Sequence, residues 1–250
     1  MLDILILSII QGITEFLPIS SSSHLILSSE YLDFSISGLS QDVSLHVGSF
    51  LAVIIFFRND LLNFVKEKKL FFKILIASLP TIFVGFFLVL FDVAEKLRST
   101  EIIAWTTIIF AILLFISDRS SVTHSIKKLS YKDVLIIGLF QVLSLIPGVS
   151  RSGITITAAR FLSFDRVSSA KVSFLISIPT LAAVSVYGFY KLYAYDETMI
   201  QNVNMLSLIF SFIFSYITIS LFLKYIKKFD LNIFIFYRLV VGAVLLFLIY

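Results

Sequence analysis

Two short stretches carry side chains that apolar sequence rarely tolerates. One is Gln11-Gly-Ile-Thr-Glu15-Phe-Leu-Pro-Ile-Ser20-Ser-Ser-Ser-His24, the other Pro147-Gly-Val-Ser150-Arg151-Ser152-Gly-Ile-Thr155. Ionisable groups at bilayer depth are costly and are functional candidates by default. Gln11 and Glu15 are four residues apart, so on a helix they share a face. Pro18 predicts a turn, and the serines from Ser20 to Ser23 predict a helix start. Ser is a preferred N-cap, and free N–H groups at helix N-termini bind anions. Pro147-Gly148 predicts a second turn, with Ser150, Arg151, Ser152 and Thr155 opening the returning helix. The planar guanidinium fork fits phosphate oxygens.

That set suits phosphoryl or pyrophosphoryl hydrolysis. Cationic and N–H donors stabilise charge on the transferring group. A hydroxyl acts as nucleophile, or positions water, when a base stands beside it. Glu15 fits the base, or a ligand of Mg²⁺ or Ca²⁺, which prefer oxygen donors. His24 exchanges protons near neutrality. His46 and Arg238 are secondary candidates, and Arg238, inside an apolar run, requires a partner. His124 sits in a basic loop and reads as solvated.

The elements that must position these groups follow from composition. The chain has 250 residues, 58% hydrophobic and only 14% charged, with mean hydropathy +1.01. Soluble domains carry about 25% charged residues. The expected class is an all-α integral membrane protein, with no barrel-type alternation. A net charge of +4 does not point to nucleic acid, because the basic residues sit in loops between apolar runs. The chain has no Cys, so a thiolate nucleophile and disulfides are excluded. Met1-Leu-Asp lacks a basic leader and Glu15 breaks the apolar stretch, so no cleaved signal peptide is expected.

An offset of 130 maps the first half onto the second. Asp3 falls on Asp133, Leu5 on Leu135, Gln11 on Gln141, Ser20 on Ser150, Ser22 on Ser152, and Leu51-Ala52 on Leu181-Ala182. Each half then reads as one broken segment followed by three spanning helices. Repeat 1 (about 1–130) has a re-entrant hairpin at 1–28 and spans at 42–57, 72–91 and 101–117. Repeat 2 (about 131–250) has a hairpin at 133–162 and spans at 168–190, 203–223 and 231–249. Three is odd, so the halves have inverted topology, and paired broken segments point to a midplane site. Loops 58–73, 118–132, 160–171 and 224–230 hold 15 Lys and Arg, Lys66 among them; the opposite loops hold only Lys96, Arg98 and Lys191. The basic face is cytoplasmic, which puts both termini and the mouth of the first hairpin outside.

The segment QGITEFLPISSSSH resembles the [E/Q]GxTEFLPxSSxxH signature of the bacitracin-resistance type undecaprenyl-diphosphatases, and LIPGVSRSGITI resembles their PGxSRSxxT signature. Leu45-His-Val-Gly48, Ser173 to Pro179 and Tyr237-Arg238 are also similar to that family. The resemblance covers nearly the whole chain. It implies hydrolysis of undecaprenyl diphosphate to undecaprenyl phosphate at the outer face of a bacterial plasma membrane, metal dependence and bacitracin resistance. By motif position it implies catalytic roles for Glu15, Ser21, His24 and Arg151. It implies phosphate-binding roles for Ser20, Ser22, Ser150, Ser152 and Thr155, and a divalent cation at Glu15 and Gln11. Gln11 stands where Glu is frequent, and Ser23 where Gly is usual. The expected partners are the lipid substrate, the bilayer and a second copy in a homodimer. A flippase or transporter of a polyprenyl phosphate is the rival reading, and a cell-wall scaffold subunit a weaker one. Serine attack and direct water attack are both open.

Overall fold

The computed structural model describes residues 1–31, 38–63, 68–195 and 204–250. Lys66 and residue 203, the first of an expected span, lie outside the described residues. Twelve α-helices follow in order among the described residues: α1 (Leu2–Thr14), α2 (Ser21–Tyr31), α3 (Leu39–Phe56), α4 (Arg58–Asn63), α5 (Lys68–Leu90), α6 (Val93–Lys96), α7 (Thr100–Asp118), α8 (Tyr131–Val142), α9 (Arg151–Phe161), α10 (Arg166–Tyr195), α11 (Met205–Tyr225) and α12 (Asn232–Ile249).

Six of these helices, α3, α5, α7, α10, α11 and α12, are long and apolar enough to cross a membrane. They match the expected spans to within a few residues at most ends. The short α4 and α6 are additions that the sequence reading treats as loop. Helix ends follow local rules. Ser99 accepts from the Ile102 N–H at 3.2 Å to start α7, and Ser130 with Asp133 forms a capping box at α8. The Asn204 side chain accepts from the Leu206 and Ser207 N–H groups to start α11. The pairs α1–α2 and α8–α9 are different in kind. With 13, 11, 12 and 11 residues, each helix is roughly 16–20 Å long at 1.5 Å per residue, short of a hydrocarbon core of about 30 Å.

Helices α2 and α9 keep the offset of 130 at both ends. Ser21 opens α2 as Arg151 opens α9, and Tyr31 closes α2 as Phe161 closes α9. Contacts repeat as well. α1 packs on α11 as α8 packs on α5, α3 packs on α11 as α10 packs on α5, and α3 pairs with α10 as α7 pairs with α12.

These interfaces are built from small residues and hydroxyls, as membrane bundles favour. A Cβ on Gly48 would lie 2.4 Å from the Leu208 carbonyl, and one on Gly12 would lie 2.5 Å from Phe214 Cβ. Beside them a fully buried hydroxyl cluster joins α3 to α11. Ser49 contacts Ser215 at 2.9 Å and Ser211 at 3.1 Å, and Ser207 donates to Gln41 at 2.9 Å. At the opposite end of the bundle buried Asp118 accepts two bonds from Arg166, at 2.7 and 2.8 Å. Arg160 donates to the carbonyls of Phe164, Asp118 and Ser120, pinning the end of α7 to α9.

Gly48→Val forces α3 away from α11 and should cost about 1–3 kcal/mol, read as a lowered Tm in detergent. Gly85→Ala, whose new Cβ would meet only Leu145 at 3.4 Å, should leave Tm unchanged or raise it.

Candidate active site

The two turns share a backbone device. α1 keeps helical geometry through Glu15, whose N–H bonds to the Gln11 carbonyl at 3.0 Å. The chain then turns through Pro18, and Ser20 adopts φ +74° before α2 begins. After α8, a short 3₁₀ turn at Leu143–Leu145 leads to Gly148 at φ +94° and Ser150 at φ +71°. Gly148 is required twice over. Its φ is left-handed, and a Cβ would stand 1.9 Å from Thr106 Oγ1. Ser20 and Ser150, equivalent at the offset of 130, carry a conformation that costs a non-glycine residue about 1–3 kcal/mol.

The turns meet at Glu15, which is only 8% exposed. Its Oε2 accepts the Ser21 hydroxyl at 2.6 Å and the Gln11 amide at 3.1 Å. Its Oε1 accepts from Arg151 Nη2 in an ion pair. Ser21 and Arg151 are the first residues of α2 and α9. One carboxylate is thus held from opposite sides by two equivalent helix starts. Arg151 Nη1 is buried and has no protein partner. His46, on α3, bonds its Nδ1 to the Asp42 carbonyl at 2.8 Å.

The Gln11 amide has a defined sense. Ser211 gives its proton to the Leu45 carbonyl at 2.7 Å. Ser49 therefore donates to Ser211, and accepts from Ser215 and from Gln11 Nε2 at 3.4 Å. The second amide proton goes to Glu15, which as a carboxylate only accepts. Gln11 Oε1 is left buried and without a protein partner, at a cost of about 1–3 kcal/mol unless a ligand satisfies it.

The remaining hydroxyls divide. Ser20 contacts Ser23 at 3.0 Å and Ser22 at 3.3 Å. In the second turn Ser152 donates to the Leu17 carbonyl at 2.7 Å, tying one turn to the other. Ser150 accepts from the Gly153 N–H at 3.1 Å and shares its proton with Ser152 at 3.2 Å. Thr155 is fully buried against Ser173 at 2.7 Å and the Arg151 carbonyl at 2.8 Å. These three hydroxyls, expected as phosphate donors, are engaged in building the turn. Ser22 is exposed.

Arg238 finds its partners in carbonyls. It is 1% exposed, and donates to Pro18 at 3.2 Å, Gly148 at 2.8 Å, Val149 at 3.1 Å and Thr107 at 3.3 Å. A single guanidinium therefore grips both turns. The adjacent Tyr237 bonds His24 Nε2 through its hydroxyl at 2.6 Å, while His24 Nδ1 contacts the Ser20 carbonyl at 2.6 Å.

The structure thus gathers Gln11, Glu15, Ser21 and Arg151 into one cluster. It sets His24 on the same helix as Ser21, and keeps Ser150, Ser152 and Thr155 as the scaffold of the second turn. His124 bonds the Leu162 carbonyl at 3.0 Å in a loop remote in sequence from both turns. Sequence reasoning missed Ser49 as the orienter of Gln11 and Tyr237 as the partner of His24. A serine in an apolar run carries no distinguishing signal, and Tyr237 is 213 residues from His24.

A family model described as bacitracin resistance protein BacA matches residues 4–244. A protein of Pelagibacter ubique named undecaprenyl-diphosphatase is 44% identical over 252 residues, covering 100% of this chain and 98% of its own length. Proteins of the same name from Hahella chejuensis and Alteromonas mediterranea are each 40% identical over 262 residues, covering 100% and 99% of this chain and 98% of their own lengths.

Replacing Arg238 by Met keeps the bulk and strands the turn carbonyls. The expected loss is about 3–5 kcal/mol, as for breaking a buried charged network, read as a large fall in Tm. Arg238→Lys should recover only part of it, since one ammonium cannot span both turns.

Proposed function

The chain belongs to the bacitracin resistance protein BacA family, and on that premise we propose that the Glu15–Ser21–Arg151 cluster hydrolyses undecaprenyl diphosphate to undecaprenyl phosphate and inorganic phosphate. The protein is a multi-pass membrane hydrolase. The activity recycles the lipid carrier of cell-wall polymers, and with it goes resistance to bacitracin.

The observation that carries the residue assignment is the divided carboxylate: one Glu15 oxygen on the Ser21 hydroxyl, the other on Arg151. A site that only held a phosphate dianion would gain little from a carboxylate. A site that cuts an anhydride needs a proton acceptor beside its nucleophile. In the covalent route Ser21 Oγ bonds to the terminal phosphorus, its proton passes to Glu15 Oε2, and the bond to the bridging oxygen breaks. That oxygen leaves as polyprenyl phosphate, weakly basic and in little need of an acid. Water then releases the phosphate. In the direct route Glu15 takes the proton of an attacking water that Ser21 positions. In both, Arg151 turns to the phosphate oxygens, and Nη1, which no protein group holds, adds a donor to that fork.

A divalent cation fits the same corner. The unpartnered Gln11 Oε1 and the Glu15 carboxylate would hold it, since Mg²⁺ commonly takes one or two carboxylates and completes its shell with substrate phosphates. When bound it supplies charge neutralisation on the diphosphate.

The short pairs α1–α2 and α8–α9 we read as re-entrant hairpins in an inverted repeat. The reading rests on helices too short to span, the boundaries of α2 and α9 in register at 130, and left-handed serines at matching positions. With the basic loops cytoplasmic, the site opens outward and both termini lie outside. The polyprenyl tail stays in the bilayer while the head reaches Glu15.

Glu15→Ala and Arg151→Ala should each lower phosphate release from undecaprenyl diphosphate in detergent by at least about 100-fold. Release unaffected by either change would refute the assignment. Exhaustive EDTA treatment should abolish release and added Mg²⁺ or Ca²⁺ restore it; full activity without metal would remove the cation from the scheme.

A further inference from the structure

We propose that Tyr237 is a positioning residue for His24: the Ser20 carbonyl holds the proton at Nδ1, and the Tyr237 hydroxyl, bonded to Nε2, fixes the orientation in which that basic nitrogen is presented. The inference rests on the hydrolase reading above. The geometry that carries it is a pair of contacts of opposite sense. A backbone carbonyl only accepts, so the 2.6 Å contact with the Ser20 oxygen puts the proton of a neutral ring on Nδ1. Nε2 then bears the lone pair and accepts the Tyr237 hydroxyl at 2.6 Å. Which ring nitrogen is protonated is set by the bond that the other one makes. The two rings are nearly parallel, 11° apart with centroids at 5.7 Å.

The placement has a use. His24 lies three residues after Ser21 on α2, on the same helix face. Ser20, which fixes the Nδ1 end, sits at the left-handed residue of the first turn. Tyr237 is the immediate neighbour of Arg238, which holds that turn through the Pro18 carbonyl. One helix therefore clamps the turn with one residue and aims the imidazole with the next. The ring cannot flip without losing both bonds. When His24 takes a proton it arrives at Nε2, and the Tyr237 oxygen, which accepts as readily as it donates, stays bonded to the imidazolium.

The test uses the full-length protein in detergent, with ¹⁵N-histidine labelling and phosphate release from undecaprenyl diphosphate. The chain has three His, and the His24 signals are assigned by their loss in His24→Asn. Wild type should show the Nδ1–H tautomer at His24, and Tyr237→Phe should keep that tautomer while the Nε2 resonance shifts as its hydrogen bond is lost. Tyr237→Phe should also lower kcat roughly tenfold, equivalent to about 1.4 kcal/mol, with KM within about twofold. Combined with His24→Asn it should add no further loss, because residues that act as a unit are not additive. An Nε2–H ring in wild type, an unchanged His24 spectrum in Tyr237→Phe, or full additivity of the two changes would overturn the proposal. Glu15→Ala and Arg151→Ala serve as the separate control. If they keep activity the hydrolase assignment falls, while the imidazole spectrum still decides what Tyr237 does.

Discussion

Arg238 is the contact on which the site depends. Two chain reversals inside an apolar bundle leave carbonyls that water cannot reach, and an unsatisfied backbone group in such surroundings costs several kcal/mol. The guanidinium has five N–H donors in a fixed plane, enough to serve Pro18 from one turn and Gly148 and Val149 from the other. The carbonyls in return solvate a charge that would be prohibitive if left alone. Each turn is therefore stabilised by a bond that also holds its counterpart. Ser152, donating to the Leu17 carbonyl, adds a second tie between the same two turns.

With the turns locked together, the chemistry is a matter of which residue type sits at each equivalent position. Ser20 and Ser150 are both left-handed, and Ser21 and Arg151 both open helices. Glu15 has Leu145 as its equivalent at the offset of 130. One frame used twice thus presents a hydroxyl and a cation to one carboxylate. Gln11 and Gln141 are both fully buried, and each is tethered to a hydroxyl of a packed neighbour, Ser49 at 3.4 Å and Thr81 at 3.1 Å. Only the first of the two adjoins a carboxylate.

Much of this was legible in the sequence, and for stated reasons. The spans show because a crossing helix needs length and apolarity, both additive along the chain. The Gln11–Glu15 pairing shows because helical periodicity puts the two on one face, and the turns show because Pro18 and Pro147-Gly148 interrupt it. The partners of Arg238 were invisible because they are backbone atoms, which carry no residue signature. The engagement of Ser150, Ser152 and Thr155 was invisible for a related reason: a hydroxyl serves a ligand or a carbonyl equally well, and only the packed structure decides. Tyr237 stood in a block similar to the family, yet its tie to His24 spans nearly the whole chain. Helices α4 and α6, short and polar, follow no strong period.

The pairing of Arg151 with Glu15 also shapes the binding equilibrium. On the proposed assignment an acid already occupies the place where the incoming anion binds, so a phosphate gains only the difference between its own attraction for the guanidinium and that of the resident group. Affinity for any phosphate is discounted by that exchange, the released orthophosphate as much as the lipid. For an enzyme facing free phosphate in its surroundings, a built-in competitor of this kind favours rapid ejection of the small product, while the long hydrocarbon chain supplies retention that does not pass through the charge.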